Sequence, residues 1–338
     1  MPGISRGFPG ECNPQTRRGI SGFRGAATWV HPCAMSAPAA EPIRYFHRAK
    51  RTVETEAIYG EKWLRWTYES GLGRAALDAV IKRAALSRYY GWKMTRTDSV
   101  RHILPFIIDY GLDVDEFVKS PFVFKSFNDF FYRALKAEAR PVAAPDNDRI
   151  AVLPADGRHL ALQNVDGAAG FYAKGQRFDL AAFLGDAELA RSFAGGSMLI
   201  SRLCPVDYHR FHFPVSGQPT EARLINGWLY SVSPIALRRN LGYLWENKRM
   251  VTLVDSPAFG TVAVCEIGAT MVGSIFQSYV TSRPAKKGEE KGLFKFGGSC
   301  VITLFQPGRI RFDADLVTPA ADQMEVYAKV GEPLGVAT

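Results

Sequence analysis

Ser299 stands out as the residue placed for chemistry: it follows Gly297-Gly298 and precedes the apolar run Val301-Ile302-Thr303-Leu304-Phe305. Glycine tolerates positive φ and lets another group come close to the peptide, so the stretch reads as a turn presenting a hydroxyl at the mouth of a buried strand. An ordinary turn before a core strand fits the same letters. Two other stretches offer ionisable partners. Asp156 sits in Leu153-Pro154-Ala155-Asp156-Gly157, and His209 and His212 lie in Asp207-Tyr208-His209-Arg210-Phe211-His212-Phe213-Pro214. Asp156 also suits a structural Asx-turn. Strand alternation would send the two histidines to opposite faces, and a bend would bring them together. Two histidines are too few ligands for a zinc site, and no cysteine is placed to join them.

The elements that position such groups come from the rest of the 338 residues. A chain that is 47% hydrophobic and 22% charged packs an ordinary core, and this length allows one large domain or two moderate ones. A formal charge of +9 favours anionic partners. Five scattered cysteines without a Cys-x-x-Cys pair argue for a reducing compartment and against both a disulfide framework and a zinc centre. No run reaches the roughly 18 to 20 apolar residues of a membrane-spanning helix. Any membrane contact is therefore expected to be peripheral.

Residues 1–40 are rich in Gly, Pro, Ser and Arg and read as a disordered or non-native extension, with Met35 as an alternative start. From Ile43 the pattern turns helical, and basic residues such as Arg65, Arg74 and Lys82 flank Trp63 and Trp66. That mixture suits an anionic headgroup layer, and it equally suits a helix pair with a solvated basic face. Phe127, Phe130, Phe131 and Leu135 fall on one helical face, for which packing is the expected role. Beyond about Asp146, short apolar or alternating runs bounded by turn residues predict strands. The expected class is α+β: a helical, membrane-associating region over 41–145, then a β-rich catalytic domain over 146–338. No dinucleotide fingerprint or P-loop is present, and nucleic acid is not an expected partner.

Several blocks, in order, resemble the phosphatidylserine decarboxylases, in particular their shorter bacterial and plant-type branch. They are Tyr45-Phe46-His47-Arg48 through Gly60-Glu61-Lys62-Trp63-Leu64, Phe127-Asn128-Asp129-Phe130-Phe131-Tyr132-Arg133, Pro154-Ala155-Asp156-Gly157, Tyr208-His209-Arg210-Phe211-His212, residues 267–275, and Lys295-Phe296-Gly297-Gly298-Ser299. Lys174-Gly175 with Phe178 and Leu180 also fits. One departure is Cys300, where that family usually has threonine.

The resemblance implies a self-cleaving precursor in which Asp156, His212 and Ser299 form the processing triad. Ser299 would attack the carbonyl of Gly298, converting amide to ester; elimination, then hydrolysis with loss of ammonia, would leave a fragment ending at Gly298 and a small one beginning with a pyruvoyl group made from Ser299. That pyruvoyl cofactor would take the amine of phosphatidylserine and act as electron sink. His209 is then the expected proton donor or substrate-orienting group. The implied partners are phosphatidylserine in an anionic membrane, at the cytoplasmic face of the cell membrane, and the two fragments with each other; a homodimer is left open. Two rival activities remain at this stage: a pyruvoyl-dependent decarboxylase of a free amino acid, and a serine hydrolase using the same three residues, although Ser299 lacks the Gly-x-Ser-x-Gly elbow.

Overall fold

The computed structural model describes residues 42–58, 60–166, 177–270, 274–322 and 324–338. The N-terminal extension, Lys174-Gly175 and the centre of the 267–275 block lie outside the described residues. Two strands open the described chain, β1 (Arg44–His47) and β2 (Thr52–Thr55). Helices follow: α1 (Glu61–Glu69), α2 (Gly71–Ala76), which continues into a π turn over Leu77–Ile81, α3 (Ala84–Thr95), α4 (Ile103–Tyr110) and α5 (Phe127–Phe131). Next come β3 (Ile150–Val152), β4 (Gly157–Leu162), β5 (Ser197–Leu203), β6 (Arg210–His212), β7 (Gln218–Pro219) and β8 (Arg223–Ile225). The remaining strands are β9 (Arg249–Ser256), β10 (Gly260–Gly268), β11 (Ile275–Gln277), β12 (Glu290–Phe294), β13 (Ser299–Phe305), β14 (Ile310–Phe312), β15 (Glu325–Ala328) and β16 (Pro333–Ala337). The architecture is mixed α+β, as the sequence pattern predicts.

Ten strands form one sheet in the order β2-β1-β15-β4-β5-β13-β10-β9-β7, with β8 also on β9. Strand β13 is central, antiparallel to β5 on one side and to β10 on the other. Its alternation divides the core: Val301 and Phe305 join a cluster with Leu199, Leu203 and Val264, whereas Cys300, Ile302 and Leu304 join a second with Met198, Ile200 and Cys265. Both faces of this sheet are therefore covered, which is why its strands read as nearly continuous apolar runs. Two three-stranded sheets, β11-β12-β6 and β14-β16-β3, complete the β structure.

Helical periodicity from Ile43 does not describe the first segment, because β1 and β2 form a hairpin there and β1 adds in parallel to β15. Four-residue strands carry little periodicity of their own, and a partner some 280 residues away leaves no local trace. Helix α5 buries Phe127, Phe130 and Phe131 as expected but stops at Phe131, and Leu135 instead bridges Phe117. These rings build a separate cluster with Phe106, Phe117, Phe124 and Phe296. Phe296 belongs to the Gly-Gly-Ser turn, so that cluster ties the helical segment to the site.

Candidate active site

Ser299 is the first residue of β13 and is fully buried. Its register neighbours are Leu203 on β5 and Gly268 on β10. The turn before it needs glycine at one point in particular, since Gly297 has φ of 128°. A Cβ at Gly298 would meet nothing within 4 Å. Both glycines line a cavity of about 350 Å³.

His209 Nδ1 lies 3.4 Å from Ser299 Oγ. On the other side of the ring Nε2 is 3.0 Å from the carbonyl oxygen of Cys204. A carbonyl can only accept, so Nε2 carries the proton and Nδ1 offers its lone pair to the serine hydroxyl. Burial, reinforced by the nearby Arg133 guanidinium, lowers the His209 pKa to about 3, and the ring is neutral. Phe131 stacks on it with centroids 3.9 Å apart.

His212 is fixed differently. Its Nδ1 lies 2.9 Å from the carbonyl oxygen of Gly288, which makes Nδ1 the donor. Nε2 is then an acceptor, and it is buried without a hydrogen-bond partner. The backbone N–H of His212 donates to Pro154 O at 2.7 Å, joining β6 to the turn that carries Asp156. Asp156 itself is buried and receives Arg140 Nε at 2.9 Å, Arg140 Nη2 at 2.6 Å and the Val330 N–H at 2.8 Å. Arg140 is shared with Glu116 at 3.0 Å. The chain leaves this turn into β4 through Gly157, where a Cβ would come within 2.2 Å of Arg202 O. The fold thus brings Ser299 onto His209. Among the described residues no hydrogen bond links Asp156 to His212, or His212 to Ser299.

Cys300 faces away from this chemistry. It points into the core cluster on the opposite side of β13, and burial pushes its thiol well above the ordinary range. A thiol so placed is a core side chain, not a second nucleophile at the Gly298 carbonyl.

Two residues of the Phe127–Arg133 block, Asn128 and Phe131, position the site. Asn128 Oδ1 accepts the Phe296 N–H at 3.0 Å, pinning the turn, and Phe131 provides the stacking surface for His209. A buried amide on an aromatic helix was the available signal, because a polar group in such surroundings requires a partner.

The histidines make stability pH-dependent. His159 and His209 have pKa values lowered to about 3 and His212 is also lowered, in each case chiefly by burial. Unfolding raises them toward 6.5, so the unfolded chain binds more protons between those values and stability falls as pH drops through that window. Each histidine contributes up to about 1.4 kcal/mol per pH unit. Urea midpoints are expected to be flat from pH 8 to 7 and to fall between about 6.5 and 5, above the range where ordinary carboxylates titrate. A midpoint unchanged down to pH 5 contradicts the neutral assignment.

Fold and site together define an α+β protein built around a buried serine at the head of a central strand, with a neutral imidazole against its hydroxyl. The family described as Phosphatidylserine decarboxylase matches residues 127–336. The phosphatidylserine decarboxylase proenzyme of Fusobacterium nucleatum is 41% identical over 295 residues, covering 87% of this chain and 98% of the relative. Proenzymes of the same name from Chlamydia trachomatis and Desulfitobacterium hafniense are each 42% identical, covering 88% and 87% of this chain and 98% of each relative. The chain belongs to the phosphatidylserine decarboxylase family.

Proposed function

We propose that this chain is a precursor that cleaves itself between Gly298 and Ser299 and then decarboxylates phosphatidylserine to phosphatidylethanolamine. The observation that carries the reading is the Ser299–His209 contact directly following Gly297 and Gly298, which line the cavity. A carbonyl group at position 299 would stand beside the neutral His209 ring nitrogen, one residue from the glycines that line the cavity. The pyruvoyl group supplies a ketone for the substrate amine and an electron sink for loss of carbon dioxide.

In the precursor, Ser299 is the nucleophile toward the Gly298 carbonyl, and Asp156 and His212 are the proposed remainder of the processing triad. His212 Nε2 is the unoccupied acceptor that this role requires. His209, held against position 299, serves turnover by orienting substrate and delivering a proton. A second reading has His209 accept the serine proton during cleavage as well, and the 3.4 Å contact favours it. After cleavage the 40-residue fragment would supply β13 through β16, and β13 lies between β5 and β10. The fragments are held together by a shared sheet.

No helix among the described residues is long and apolar enough to cross a membrane. The proposed lipid contact is instead peripheral, on the anionic cytoplasmic leaflet. Trp66, Leu72, Trp92, Ile108 and Phe122 are exposed along the 61–123 segment, with exposed Arg74, Arg88 and Lys93 in the same stretch. Exposed aromatics beside cations match the headgroup layer. Trp63 is both partly exposed and part of the cavity wall, which connects that surface to the site. Trp66→Glu is expected to weaken sedimentation with phosphatidylserine-containing vesicles about tenfold, from lost apolar insertion and added charge repulsion, with self-cleavage unchanged. Equal binding by both proteins removes this face from the proposal.

A further inference from the structure

The cavity wall carries a charged group that the mechanism above does not use. Glu56, directly after β2, is only 6% exposed and lines the cavity together with Arg202, Cys204 and the glycines of the scissile turn. It lies outside the residues matched by the family description, which begin at 127. Its Oε2 receives Arg202 Nη2 at 3.0 Å; its Oε1 receives the thiol of Cys204 at 2.7 Å, with Arg158 Nε at 3.8 Å. Arg202 is also bound by Glu325, and Arg158 by Asp207. This connected cluster therefore holds three carboxylates and two guanidinium groups. The nearby Arg133 has Nε and Nη1 without hydrogen-bond partners and packs over Phe117 and Phe130, outside these ion pairs.

Two features of the cluster point to a cationic ligand. Among the described residues lining the cavity Glu56 is the one carboxylate, in a setting where neighbouring Ile58, Leu64 and Val232 give the cavity an apolar wall. The oxygen with the weakest donor is the one on the thiol, and a thiol is readily displaced by an N⁺–H group, which makes a stronger hydrogen bond. The arginines keep the Glu56 carboxyl below its ordinary range despite burial, so it stays ionised and binds a cation without taking its proton.

Resting on the phosphatidylserine reading, we infer that Glu56 is the recognition residue for the primary ammonium of the lipid headgroup, contributed to the catalytic cavity by the N-terminal hairpin. Its Oε1 accepts the ammonium in place of Cys204, bringing the amine beside the turn at 297–299. A headgroup with the same phosphate but no amine gains nothing from this carboxylate.

Calorimetry on the full-length, uncleaved Ser299→Ala chain tests this with two soluble probes, glycerophosphoethanolamine and glycerol 3-phosphate. Adding Glu56→Gln is expected to weaken the amine-bearing probe about tenfold to a hundredfold, the range for a lost charge-assisted hydrogen bond, and to leave glycerol 3-phosphate unchanged. Equal weakening of both probes indicates a merely structural role and overturns the inference, as does no weakening of either or failure of the Ser299→Ala chain to bind glycerophosphoethanolamine. If Glu56→Gln does not fold, Glu56→Asp keeps the charge and withdraws it by one methylene; the expected loss is again confined to the amine-bearing probe. Carbon dioxide release from phosphatidylserine vesicles by the processed wild type is measured separately. Its absence sinks the substrate reading, while the calorimetric preference judges Glu56 alone.

Discussion

Ser299→Ala should leave a single full-length chain, where the parent yields fragments of 298 and 40 residues. Alanine keeps the strand entry and the packing of a fully buried side chain, and it removes the hydroxyl that contacts His209. Only a hydrogen bond to a neutral ring is lost, worth about 1 kcal/mol, so the fold is expected to persist. Activity is not expected to persist, because without Oγ no ester forms at Gly298 and the elimination and hydrolysis that make the ketone cannot follow. Carbon dioxide release from phosphatidylserine vesicles should fall to the uncatalysed level, and intact mass should show one species. Turnover by an uncleaved Ser299→Ala chain would remove the self-processing proposal, and a wild-type chain that remains whole yet hydrolyses esters would favour a serine hydrolase. A small fragment that begins at residue 300 would move the cleavage point.

The parts of this site that were legible in the sequence are those whose chemistry is local. Gly297 requires positive φ, Asp156 sits in a turn, and residues 301–305 alternate between two cores; each leaves a mark within a few positions. The strands over Ser197–Leu203 and Gly260–Gly268 were readable for the same reason, since β-rich apolar runs bounded by turn residues have few other uses. What could not be read is set by distant partners. That β1 joins β15 and delivers Glu56 to the cavity depends on a parallel ladder closed across most of the chain. Nor could spacing alone decide the two histidines. Their tautomers follow from which carbonyl each ring meets: Cys204, five residues back, for His209, and Gly288, 76 residues on, for His212. Cys300 illustrates the reverse case: a thiol next to Ser299 is by its residue type a possible nucleophile, and strand alternation turns it into the core.

Replacing the histidines one at a time, with side chains that preserve their buried anchors, is expected to separate cleavage from turnover. In His212→Asn the amide N–H can still donate to the Gly288 carbonyl, so the ring's anchoring bond is retained while the open acceptor Nε2 is lost. This variant is expected to remain a single chain, with the cleavage rate down about a hundredfold to ten-thousandfold, the usual worth of a positioned base. In His209→Gln the longer amide reaches the Cys204 carbonyl as Nε2 does, and the basic nitrogen facing residue 299 disappears. It is expected to cleave into both fragments yet release carbon dioxide about a hundredfold to ten-thousandfold more slowly. Gel electrophoresis follows the first readout and trapped carbon dioxide the second, so a general loss of folding, which lowers both together, is distinguished from either role. The opposite pattern, with His209→Gln uncleaved and His212→Asn processed normally, would transfer the precursor's base to the imidazole already in contact with Ser299. Asp156 and His212 would then be members of the buried polar framework around Arg140 and Gly288, with no proton to carry.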